Sequence, residues 1–169
     1  MTQGRPTAGD PPENRGPAPG TRDASRRRQG VGGAVAQVLI VDDTDIVRRA
    51  IELALRRMGH AAVSTCDAGE ALALARRNPP DLALLDFRMP GMDGATLFQE
   101  LRAALGERCP RVLFVSASPP DEVAREVERI APAAGYVRKP FHLDDLVRAV
   151  GEALQPDGPP RRALAEGSP

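Results

Sequence analysis

A chain of 169 residues with 41% hydrophobic content can build one sizeable core, and two independent cores would strain it. Its longest nearly apolar stretch, residues 31–41, is far short of the roughly 20 residues that span a bilayer, and its polar, proline-rich start is unlike a secretory signal, so a cytoplasmic chain with no membrane association is expected. The formal net charge of zero gives no chain-wide field for nucleic acid or lipid, and two cysteines are too few for a disulfide scaffold.

In chain order, residues 1–35 are rich in Gly, Pro, Arg and small polar types, with no apolar periodicity to offset the entropy of ordering them, and are expected to form a disordered tail. The Arg26-Arg27-Arg28 run within it reads as solvated charge, and a start at Val31 or Val35 would lose nothing foldable. The foldable part, residues 36–154, alternates short strands with helices. Gln37 to Val41, Ala61 to Thr65, Leu82 to Leu85, Arg111 to Val115 and Gly135 to Val137 read as five strands. Several are near-continuous apolar runs, as parallel strands covered on both faces should be. Val47, Ile51, Ala54 and Met58 predict a first helical stripe ending at Gly59. Leu72 and Ala75 predict a second helix, stopped by Pro79-Pro80. Leu97, Leu101 and Leu105 predict a third, and Val123, Val127 and Ile130 a fourth, started by Ser118-Pro119-Pro120-Asp121 with Ser118 as cap. Leu143, Leu146, Val147, Val150 and Leu154 predict a fifth, after which residues 155–169 return to a Pro/Gly-rich, flexible composition.

Five βα units fit an α/β, doubly wound, five-stranded parallel sheet, commonly ordered 2-1-3-4-5 with right-handed crossovers. In such a sheet ligands sit at the carboxyl ends of strands 1 and 3. Asp42 and Asp43 follow strand 1, and Asp86 follows strand 3. Each alone reads equally as a turn or cap residue. Together they would crowd one crevice and repel unless a cation compensates. Few carboxylates, with coordination positions left for water and phosphate oxygens and no Cys/His cluster, suit Mg²⁺ better than zinc. Ser116 follows strand 4, and Lys139, the chain's only lysine, follows strand 5. Alone, the serine reads as a turn residue and the lysine as surface charge. Four contiguous strands each delivering a polar group to one edge make a carboxylate nucleophile, a cation site, an ammonium and a hydroxyl, the parts that phosphoryl transfer to aspartate needs.

VDD at Val41 to Asp43, LLDFRMPGMDG at Leu84 to Gly94, SAS at Ser116 to Ser118 and YVRKPF at Tyr136 to Phe141 resemble the motif set of response-regulator receiver domains. The resemblance covers about Ala36 to Leu154 and implies a flavodoxin-like receiver fold in the 2-1-3-4-5 order. It implies Asp86 as phosphoacceptor, with Asp42, Asp43, Asp86 and the main-chain carbonyl of Arg88 around Mg²⁺. Lys139 would contact Asp86 and then a phosphoryl oxygen, Ser116 would bond another, and Tyr136 would change its packing in concert. The Lys139-Pro140 peptide would be cis; Met89, Pro90 and Gly91 would shape the loop; and the small Ala117 would leave the site open. Asp42, Asp43, Asp86, Ser116 and Lys139 all match the pattern, whereas Ala131 to Ala134 depart from it.

The resemblance implies a single-domain regulator phosphorylated by a histidine kinase or a histidine phosphotransfer protein. Output would run through helix 4, strand 5 and helix 5, including Glu122, Arg125, Tyr136 and Arg148, to an unknown downstream protein target. Residues 155–169 are too few for a helix-turn-helix reader, so no direct DNA binding is expected. The alternatives are a phosphorelay intermediate that passes the group onward and a receiver-like interaction module that is never phosphorylated. A haloacid-dehalogenase-type phosphatase fits least: its nucleophilic acid follows strand 1 in a DxD arrangement and its paired acids come last, whereas here the pair comes first and no DxD with that downstream order appears. Cys66 and Cys109 fall at opposite ends of the sheet, about 17 Å apart for a five-residue strand, against a Cα limit of roughly 7 Å for a disulfide, so both are expected as free thiols.

Overall fold

The computed structural model describes Met1 and residues 34–155. The expectations for the arginine run at 26–28, and for the two tails apart from residues 1, 34, 35 and 155, lie outside the described residues. Five strands, β1 (Gln37–Val41), β2 (Ala61–Thr65), β3 (Leu82–Leu85), β4 (Arg111–Ser116) and β5 (Gly135–Arg138), form one sheet in the order β2-β1-β3-β4-β5. All pairings are parallel, with Val41 beside Leu85 and Ser116 beside Arg138 at the carboxyl ends. The helices are α1 (Asp45–Arg57), α2 (Ala68–Arg77), α3 (Gly94–Leu105), α4 (Pro120–Val127) and α5 (Leu143–Ala153), with a 3₁₀ turn at Gly106–Arg108 before β4.

The alternation of side chains along each strand divides the core between two faces. Leu39, Val41, Ala83, Leu85, Val112 and Phe114 pack on α2, α3 and α4, while Val38, Ile40, Leu82, Leu84, Leu113 and Val115 pack on α1 and α5. This double covering explains the unbroken apolar runs of β3 and β4. Phe114 is fully buried, with edge-on rings of Phe87 and Phe98 at centroid distances of 6.0 and 6.1 Å. Phe114→Ala should therefore lose about 3–5 kcal/mol of stability, and Phe114→Leu markedly less, as measured by urea unfolding.

Helix ends follow local chemistry. Asp67 and Asp93 cap α2 and α3, their carboxylates accepting from the amides of Glu70 and Thr96 at 2.7 Å. Gly59 follows α1 with a positive φ of 81°, where a side chain would strain the backbone. The expected Ser118 cap is displaced by one residue. Pro119 is the N-cap of α4 and Pro120 the first helical residue, because Ser118 is engaged in the β4–α4 loop: its amide donates to Ser116 Oγ and its carbonyl accepts from Tyr136. In α2 the buried residues are Ala71 and Ala75, with Leu72 only partly covered, and Ile130 packs just beyond the end of α4. The Ala131 to Ala134 stretch is tied in by Ala134 N donating to Val112 O at 2.7 Å. The last turn of α5 has no basic residue of its own. Arg111, at the start of β4, supplies the charge, donating from Nη1 to Ala153 O at 3.0 Å and to Gln155 O. Cys66 is exposed, Cys109 is half-buried, and both are free thiols; burial pushes the Cys109 thiol up, with Arg102 opposing.

Candidate functional site: a carboxylate cluster at the sheet edge

Four strands end within reach of one another. β1 delivers Asp42 and Asp43, β3 delivers Asp86, β4 ends in Ser116 itself, and β5 is followed at once by Lys139. The strands hold these residues by their backbones: Asp86 N donates to Val41 O at 2.8 Å, Asp42 N to Thr65 O at 3.3 Å, and Lys139 N to Ser116 O at 2.8 Å. Both β4 and β5 run one residue past their apolar stretches, because the Ser116 and Arg138 backbones still pair where the side chains have turned polar.

Asp42, Asp43 and Asp86 each offer a carboxylate oxygen within 4.8 Å of the others'. Asp42 and Asp86 are buried and Asp43 is exposed, so the cluster opens on one side. Lys139 Nζ lies 2.7 Å from Asp86 Oδ2, donating a hydrogen bond, and 2.6 Å from Asp42 Oδ2. The second contact is an ion pair without hydrogen-bond geometry, and Asp42 Oδ2 has no hydrogen-bond donor although it is buried. Burial alone would lower the Lys139 pKa, but the hydrogen bond to Asp86 and the negative charges of Asp42 and Asp86 outweigh it and raise the value. A raised value means that the ammonium's stabilisation is complete below the ordinary lysine pKa. It is lost only as pH rises through the folded-state value, so neutral pH leaves it intact.

The other oxygens of Asp42 and Asp86 are committed. Asp42 Oδ1 accepts from Thr44 N at 2.8 Å and Asp86 Oδ1 from Arg88 N at 3.2 Å. A buried carboxylate oxygen with no donor, beside two further hard oxygen ligands, fits a divalent cation such as Mg²⁺. Ser116 is fully buried, with its hydroxyl accepting from Ser118 N at 3.2 Å. Tyr136 donates to Ser116 O at 2.8 Å and also to Ser118 O, joining β5 to the β4–α4 loop. Burial raises the Tyr136 pKa; Arg138 opposes the rise and Asp86 adds to it. The Lys139-Pro140 peptide is cis.

The five-stranded 2-1-3-4-5 sheet beneath this edge accords with the known proteins that the chain resembles. The family model described as the response regulator receiver domain matches residues 38–151. The chain belongs to the receiver-domain family. Over 119 residues the receiver domain is 38% identical to the sensor histidine kinase AruS of Pseudomonas aeruginosa, covering 69% of this chain and 12% of that one. Over 118 residues it is 37% identical to the transcriptional regulatory protein CseB of Streptomyces avermitilis, covering 70% and 48%. The chain thus spans half or less of these curated relatives. Among solved structures, the chemotaxis response regulator CheY4 of Vibrio cholerae superposes with a TM-score of 0.66 at 26% identity, covering 72% of this chain and all of that one.

Three features of the receiver domain's site were not found from the sequence. Gly94, the first residue of α3, packs so closely on the loop that a Cβ there would lie 2.2 Å from Asp86 O. Gly94→Ala should displace the Asp86 backbone, costing roughly 1–3 kcal/mol, and the amide resonances of Asp86 and Phe87 should move. Wild-type stability with unmoved resonances would refute the close packing. Second, the Arg88 side chain stretches over the Phe87 ring, 5.2 Å from its centroid, and pairs with Glu122 on α4. Third, Arg48 reaches back from α1 to the carbonyl of Asp42. The glycine was visible as the end of an Asp-Gly pair before a helix, but neither arginine's partner is signalled by the pattern around it.

Proposed function

We propose that the chain is a single-domain response regulator whose Asp86 accepts a phosphoryl group, with Mg²⁺, from a histidine kinase or a histidine phosphotransfer protein in the cytoplasm. The observation that carries this reading is Lys139 Nζ between Asp42 Oδ2 and Asp86 Oδ2 at 2.6 and 2.7 Å, at the mouth of a three-carboxylate cluster. Asp86 attacks phosphorus through a carboxylate oxygen; the new P–O bond forms as the bond to the donor nitrogen breaks, and the electron pair leaves with the donor imidazole. Asp42, Asp43, Asp86 and the Arg88 carbonyl would hold the Mg²⁺, whose charge offsets that of the phosphoryl oxygens. Lys139 exchanges a carboxylate oxygen for a phosphoryl oxygen, keeping its charge in place. The Ser116 hydroxyl, at the end of β4, turns from the Ser118 amide to another phosphoryl oxygen.

Tyr136 is bonded to the Ser116 and Ser118 carbonyls, so a shift of the β4–α4 loop moves the Tyr136 ring and with it the face made by α4, β5 and α5. That face holds a groove lined by Tyr136, Arg138, Phe141, Asp145, Arg148 and Glu152, whose mixed charge and apolar surface suit a protein partner better than DNA. The match to the chemotaxis response regulator CheY4 covers all of that chain, which supports the single-domain reading. Incubation with a small-molecule phosphodonor and Mg²⁺, followed by intact mass and site mapping, tests the proposal. The expected result is one acid- and base-labile phosphoryl group on Asp86, and none with Mg²⁺ removed. A product mapped to any other residue, or no product at all, overturns it.

A further inference from the structure

Near its start α1 carries a cation where the helix field disfavours one. Arg48 is the fourth residue of α1, within reach of the positive end of the helix dipole, where basic residues are destabilising. Its side chain is nevertheless only 14% exposed. What it holds explains the placement: Nη2 pairs with Asp45, and Nη1 donates to the carbonyl oxygen of Asp42 at 2.5 Å. The N-cap, Thr44, makes no side-chain capping bond; its hydroxyl goes instead to Asp43 Oδ1 at 3.1 Å.

These bonds account for Asp42 group by group. Its amide goes to Thr65 O, its Oδ1 to Thr44 N and its carbonyl to Arg48. Only Oδ2 lacks a hydrogen bond, and that oxygen faces Lys139 and Asp86. The Asp42 carbonyl also belongs to the planar peptide that carries the Asp43 amide, so the guanidinium fixes the direction in which the exposed Asp43 leaves β1. We propose that Arg48 is a positioning residue, whose bidentate hold on Asp42 O and Asp45 presets the Asp42 and Asp43 carboxylates for a divalent cation. This rests on the reading of the carboxylate cluster as a Mg²⁺ site.

The direction of the effect separates positioning from charge. Through charge alone a guanidinium beside the cluster repels a cation, so its removal would tighten Mg²⁺ binding. Through positioning, its removal weakens binding, by about 10-fold or more if it behaves as second-shell partners of metal ligands do. Arg48→Met keeps the apolar stem and loses both donors. Arg48→Lys keeps the charge but, as a point donor, does not span Asp42 O and Asp45 together.

Mg²⁺ titration of the full chain, without phosphodonor, followed by calorimetry and by the amide resonances of Asp43 and Asp86, tests the inference. The expected result is roughly 10-fold weaker binding in Arg48→Met and weakened binding in Arg48→Lys as well. Wild-type or tighter affinity in Arg48→Met, or full affinity in Arg48→Lys, overturns it. Should Arg48→Met fail to fold, Arg48→Lys decides alone. A wild-type chain with no saturable response, matching an Asp43→Asn control, would instead sink the metal reading and the positioning role with it.

Discussion

Asp86→Asn will take up no phosphoryl group under conditions in which the wild-type chain takes up one. The substitution is nearly isosteric: the amide oxygen still accepts from Arg88 N or from the Lys139 ammonium, in the positions the carboxylate oxygens occupy at 3.2 and 2.7 Å. The nucleophile and one negative charge of the cluster are lost, while Asp42 keeps the ammonium paired. The fold therefore persists while phosphoryl acceptance disappears. Circular dichroism and urea unfolding should show a chain at least as stable as wild type, because one of three mutually repelling carboxylates is gone. Intact mass after phosphodonor treatment is the decisive measurement, and an unchanged yield would remove Asp86 from its assigned role.

The second large effect is expected at Lys139. A chain that supplies its other cations as arginine keeps one lysine, and that lysine is 16% exposed between two carboxylate oxygens. The space admits a compact ammonium that contacts both oxygens from one atom. A planar guanidinium spreads its charge across five donors and needs a wider approach. Lys139→Arg should fold and bind Mg²⁺, since Asp42, Asp43 and Asp86 remain, yet accept phosphoryl on the order of 10-fold more slowly. It should also transmit less of the change to Tyr136 and α4, read as a smaller amide-exchange response in Glu122, Arg125, Tyr136 and Arg148. Full retention of rate and response would reduce Lys139 to a surface charge.

The strands were legible because burial on both faces writes continuous apolar runs, and the run Leu82 to Leu85 is the strand β3. Their ends were less so. Ser116 and Arg138 belong to β4 and β5 through backbone pairing, which leaves no mark in side-chain polarity. The site's acids and its lysine were legible because in this architecture a polar residue after a strand is already located in space. Ser118 misled for the complementary reason. Its type fits a cap, but two contacts from elsewhere, the Ser116 hydroxyl and the Tyr136 hydroxyl, claim its backbone first. The partners of Arg48 and Arg88 depend on which segments come together in three dimensions, so local periodicity carries no trace of them, whereas Gly94 is marked only by the Asp-Gly pair before α3.

β4 has a mechanical character that follows from its two ends. At its carboxyl end lies Ser116; at its amino end lies Arg111, whose guanidinium grips the carbonyls of Ala153 and Gln155 where α5 finishes. Six residues of strand are a stiff rod of about 20 Å. A displacement of Ser116 along that rod would thus be felt where the chain leaves α5. A reporter at Gln155 stands at the far end of the lever, clear of the carboxylates yet joined to Ser116 by a single element.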